Sequence, residues 1–125
     1  MRKQYHFRPS VRGLRAWDVD RLIALTRDLP RVEIPISAIR ELDEPYWSTG
    51  YDAPLTCRAL VEHVSLIEQA DLGFPIILSS DGRVMDGMHR VAKALMRGDQ
   101  SIEAVRFVED PAPDYVGVSP SDLPY

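Results

Sequence analysis

The chain has 125 residues, 45% of them apolar, with a formal charge of -4 and an isoelectric point near 5.3. That length fits one domain with a modest core and leaves no room for a second. The acidic balance argues against a stand-alone nucleic-acid binder, which usually carries a basic face. The single cysteine, Cys57, excludes an internal disulfide and suits a reducing compartment. No apolar run is long enough to span a bilayer and the N-terminus lacks the apolar centre of a signal peptide, so a cytoplasmic protein is expected.

Residues 1–16 read as an N-terminal arm whose Arg2, Lys3, Arg8, Arg12 and Arg15 are expected to be solvated. They keep nucleic acid open as a partner, though not a favoured one. Asp18 is placed as an N-cap before a stripe of Val19, Leu22, Ile23 and Thr26, and Pro30 ends this first helix. Val32, Ile34 and Ile36 alternate like a half-buried strand, in which Pro35 implies an edge position. Residues 37–42 form a turn or short helix. Residues 41–54, E-L-D-E-P-Y-W-S-T-G-Y-D-A-P, are too long for a tight turn, and such loops often carry function. Thr56 begins a second helix with Leu60, Val64 and Ile67 at helical spacing and Val61 widening the stripe. Residues 74–78 and 83–86 read as a strand pair around the turn at 79–82, and Ile102, Val105, Phe107 and Val108 supply a last strand. Four prolines make the tail, residues 109–125, extended. The expected fold is one α+β domain with a small mixed sheet and helices covering it unevenly.

Residues 83–93, R-V-M-D-G-M-H-R-V-A-K, carry the most chemical information. They read as a strand, an Asp86-Gly87 turn and a helix in which Val91, Ala92, Ala94, Leu95 and Met96 recur until Gly98. Backbone N–H groups at such a helix start lack internal acceptors and sit at the positive end of the dipole, a ready anion site. Arg90 would add a forked permanent charge and His89 a titratable donor. On residue types alone an equal alternative stands: Asp86 caps the helix, Arg90 pairs with a surface carboxylate and His89 is solvated. The three histidines, His6, His63 and His89, are scattered and show no metal-ligand spacing.

The stretch I-L-S-S-D-G-R-V-M-D-G-M-H-R-V-A-K-A-L-M-R-G resembles the core motif of the ParB/sulfiredoxin-like superfamily, closely over residues 76–98 and loosely over 32–108. It is most similar to the D-G-x-H-R version of small-molecule-kinase-like members, in which this loop and helix start hold nucleotide phosphates. Met88 stands where a sulfiredoxin has its catalytic cysteine, and His89 where a ParB protein has an arginine. Neither sulfinic-acid reduction nor chromosome partitioning is therefore expected.

The resemblance implies binding of ATP or ADP with magnesium, and transfer of a phosphoryl group to a small hydroxyl-bearing substrate. Arg90 and the N–H groups of Gly87, Met88 and His89 would hold the phosphates, His89 offsetting charge on the transferred group. Asp86 would bind the metal or position the nucleophile, and a glutamate soon after the first strand of the fold, Glu44 or Glu41, would act as base. Tyr46, Trp47 and Tyr51 would either stack on a base or anchor the loop. Thr56 and Arg58, opening the second helix, offer a second anion contact, although Thr56 also reads as a simple cap. Cys57 lacks a neighbouring base and His63 reads as a structural hydrogen-bonder. The alternative is a non-catalytic nucleotide-sensing or DNA-associated adaptor using the same pocket. A third reading is a subunit that has lost its ligand and binds a protein through the aromatic loop. Catalysis needs a carboxylate from residues 41–52 facing the phosphates; an adaptor needs none.

Overall fold

Among the described residues, 3–48 and 54–125, the computed structural model has seven strands and three α-helices. β1 (Tyr5–Arg8) and β2 (Arg15–Asp18) form an antiparallel hairpin with Tyr5 opposite Asp18, and β7 (Tyr115–Val116) adds to β2. α1 (Val19–Thr26), capped by Asp18, leads to β3 (Val32–Pro35) and two 3-10 turns, Ile36–Ala38 and Arg40–Asp43. Then come α2 (Cys57–Gln69), β4 (Ile76–Leu78), β5 (Val84–Asp86), α3 (Met88–Arg97) and β6 (Ser101–Arg106). These strands make a second sheet in the order β3-β6-β4-β5, mixed because β4 and β6 run parallel. The fold is thus α+β, with Pro35 on the edge strand that its missing N–H requires.

Ile76, Ile77 and Leu78 are all buried because both faces of the second sheet are covered. Ile76, Leu78, Val84, Ile102 and Ala104 share one core with Val91 and Ala94 of α3. Ile77, Met85 and Val105, one residue out of phase, share the other with Trp17 and Leu22. Side chains as fully enclosed as Leu22, Ile76 and Val91 contribute about 1.5–3 kcal/mol each.

Tertiary pairing corrects the expectation of a solvated arm. Arg8 Nη2 donates to the buried Ser79 Oγ at 2.9 Å, and the Arg15 guanidinium carbon lies 5.3 Å from the Trp17 ring centroid. The tail is tied down as well: Trp17 Nε1 donates to the Pro111 carbonyl, and the Asp18 N–H to Asp114 Oδ2, both at 2.8 Å. Arg2 lies outside the described residues.

The second helix also departs from its pattern. Of its apolar stripe Ile67 is buried, while Leu60, Val61 and Val64 are 51%, 66% and 41% exposed. α2 leans on α3 through one narrow side, where Lys93 Nζ caps its end by donating to the Glu68 and Ala70 carbonyls at 2.9 and 2.7 Å. In α3 the stripe buries Val91 and Ala94 but leaves Leu95 and Met96 exposed. Phe74 precedes β4 and Val108 lies beyond β6, both exposed rather than in the strands their apolarity suggests.

Candidate functional site

The strand-turn-helix motif forms as its sequence reads, with one change at the cap. Gly87, in the left-handed region at φ +107°, is the N-cap of α3, with no side chain capping the helix. A Cβ there would come within 2.7 Å of Ile76 Cγ2 and 2.8 Å of Arg90 Nη2, so both conformation and space demand glycine. Asp86 is therefore not the cap; its Oδ2 accepts from Arg90 Nη2 at 2.8 Å. Burial raises the Asp86 pKa despite the opposing pull of Arg90. The first backbone bond of the helix runs from the Val91 N–H to the Gly87 carbonyl at 3.0 Å. The N–H groups of Met88, His89 and Arg90 thus precede any intrahelical acceptor, at the positive end of the dipole.

A cavity of about 610 Å³ opens at this helix start. Asp86, Gly87 and His89 line it, together with Trp47, His63 and, from the N-terminal strand, His6. His63 Nδ1 and His89 Nε2 lie 2.9 Å apart, so one ring donates to the other. The Trp47 ring stacks on both, with centroid distances of 4.4 Å to His63 and 4.8 Å to His89 and interplanar angles of 20° and 16°. An indole therefore lies flat over a hydrogen-bonded imidazole pair. Burial, aided by the charges of His63 and Arg90, lowers His89 to a pKa of about 4, leaving it neutral at pH 7. His6, lowered to about 3 by burial and then by Arg8 and Arg15, accepts from Arg8 Nε at 3.0 Å. Positive character in the cavity comes instead from the helix N–H groups and from Lys3, which is held 2.9 Å from Asp18.

The other predicted residues are dispersed. Glu41 is buried: its Oε2 accepts the Val84 N–H at 2.6 Å, while Oε1 makes no hydrogen bond among the described residues. Both Glu44 oxygens accept from Arg83 Nη1, at 2.8 and 2.6 Å. Neither glutamate lines the cavity. Thr56 is the N-cap of α2, its Oγ1 accepting the Ala59 N–H at 3.1 Å, and Arg58 and Cys57 are exposed away from the cavity. Arg90 lines a different cavity. Met88 turns its side chain into the core. Tyr46 and Trp47 both pack against that core, while Tyr51 and Asp52 lie outside the described residues.

Among the described residues Asp86 is the one carboxylate lining the first cavity, and Arg90 engages it. No group of three His, Cys, Asp or Glu there could hold a metal ion. The donor set does not fit a protein-held magnesium, and no step is assigned to that ion. Sequence reading missed the Trp47, His63 and His89 assembly and the contribution of β1. The alternation in Y-H-F-R, with aromatics at every second position, was a signal for that strand.

No helix among the described residues is long and apolar enough to cross a membrane. Part of the chain is similar to the transcriptional regulator NovG of Streptomyces niveus, with 42% identity over 57 residues. The match covers 44% of this chain and 18% of that protein. No protein-family model matches the chain, and no solved structure matches it significantly.

Proposed function

We propose that this protein is a non-catalytic nucleotide-sensing module of a regulatory system, holding ATP or ADP in the cavity at the start of α3. The observation that carries the reading is a pairing of features in one place: a helix N-terminus whose first N–H groups meet no acceptor among the described residues, and an indole on a hydrogen-bonded imidazole pair beside it. The first suits phosphates and the second offers aromatic surface for a base. The two glutamates expected to act as base are engaged elsewhere, Glu44 by Arg83 and Glu41 by the Val84 N–H. Partial similarity to a transcriptional regulator supports a regulatory setting over a metabolic one. In this arrangement phosphate contacts fall to the Met88 and His89 N–H groups and Lys3, and Arg90 serves the turn by bracing Asp86.

The test is a titration of ATP and ADP, each with magnesium, followed by melting temperature and tryptophan fluorescence. A nucleotide at about a hundred times its dissociation constant stabilises by roughly 2.7 kcal/mol. Trp47→Ala should weaken binding by about 1–3 kcal/mol, the worth of one base stack. Absence of any nucleotide-dependent shift defeats the proposal. Turnover to a hydroxyl acceptor would restore the phosphotransferase reading.

A further inference from the structure

On the α1 side of the second sheet lies another cavity, of about 360 Å³, within the range that holds small organic ligands. Its walls are apolar: Leu29, Ile77 and Val105 line it, with Ile23 and Phe74 also contributing while 46% and 60% exposed. Its charged groups are Arg27, Arg31, Arg90 and Asp86, a formal surplus of two positive charges in a chain of net charge -4. Such an inversion of sign, set among apolar walls, selects an anion with an apolar body.

The arginines are unequally committed. Arg31 is spent on the rim, its Nη1 donating to the Gly73 carbonyl and to Glu103 Oε2, both at 3.0 Å. The Arg27 side chain makes no hydrogen bond or ion pair among the described residues. Arg90 decides the matter. Its side chain is only 16% exposed, and of its five N–H donors those on Nη2 meet Asp86. Its other donor atoms make no hydrogen bond among the described residues and are not sealed from solvent, and Arg90 lines this cavity.

We infer that this second cavity is a binding site for a small amphipathic carboxylate, an alkyl or aryl acid whose head meets the free donors of Arg90 and whose body covers Phe74 and Ile23. A planar carboxylate matches the guanidinium fork. A dianionic phosphate would lose more hydration against these walls, so the singly charged head is favoured. The inference does not rest on the nucleotide reading, since it concerns a different cavity and a different partner for Arg90.

Octanoate and 3-phenylpropionate are the probes, titrated into the full chain with amide and methyl NMR shifts as readout. Shifts should centre on Ile23, Ile77 and Val105, and octanamide should bind about 10- to 100-fold more weakly, as expected on losing a charge-assisted hydrogen bond. Arg90→Gln removes the fork, but it can also destabilise the fold by stranding Asp86. Phe74→Glu is the second variant, on an exposed side chain, and should abolish octanoate binding while leaving the melting temperature unchanged. Equal affinity for acid and amide, full binding in Phe74→Glu, or shifts confined to the first cavity would each overturn the inference. Tighter binding of octyl phosphate than of octanoate would overturn the choice of carboxylate.

Discussion

Acid should unfold this protein through two imidazoles that the fold keeps neutral. His6 and His89 fall from an ordinary 6.5 to about 3 and about 4, so below pH 6.5 the unfolded chain binds protons that the folded chain refuses. Stability is then complete above 6.5 and is lost as pH falls toward the folded values, by about 1.4 kcal/mol per pH unit for each fully enclosed group. At pH 4.5, two units below the unfolded value, His6 accounts for a loss of about 2.7 kcal/mol. Both rings border the cavity, but His89 is much the less enclosed and is screened by water, which reduces its share to about half of that. Together they remove about 4 kcal/mol, a fall of about 15 °C in melting temperature for a domain of this size. Asp86, raised by burial, works in the opposite direction, gaining a proton more readily when folded. Asp81 is lowered chiefly by the Ser79 hydroxyl; at Asp18 burial is outweighed by Lys3 and the Asp20 N–H. The contribution of those two carboxylates is present above 3.8 and is lost only at lower pH. Thermal melts of the wild type, His6→Gln, His89→Gln and the double variant between pH 7.5 and 4.5 separate the contributions. Glutamine keeps an acceptor for Arg8 Nε and a polar partner for His63 without titrating. A double variant with wild-type pH dependence would refute the reasoning, because the loss would then belong to other groups.

Glu41 should prove structural. Glu41→Ala strands the buried Val84 N–H and costs about 1–3 kcal/mol in urea unfolding, whereas Glu41→Gln keeps an acceptor and costs less. Gly87→Ala should destabilise by at least about 1–2 kcal/mol through the positive φ alone, with the close approach of Ile76 adding to it, again measured by urea unfolding.

Much of the local architecture was legible in the order of residues. Asp18 and Thr56 do cap α1 and α2, Pro35 does sit on an edge, and Asp86-Gly87 does turn a strand into a helix. Capping, proline chemistry and helical spacing act within a few residues, so a one-dimensional pattern carries them. The placement of the site was a different matter. Trp47, His63 and His89 come from a loop and two helices, and they meet because α2 leans on α3 rather than lying across the sheet. Similarly, Glu41 and Glu44 look free in the sequence, yet the β5 backbone and Arg83 claim them. Arg90, read as a phosphate clamp, is drawn aside by Asp86 four residues earlier, toward the second cavity. The basic arm became a strand once β2 offered its backbone a partner and Ser79, just after β4, accepted a hydrogen bond from Arg8. Each of these outcomes is a choice between competing partners. Periodicity can mark a side chain as apolar or charged, but which acceptor a guanidinium or carboxylate finally meets depends on contacts between segments distant in sequence, which form only when the chain packs.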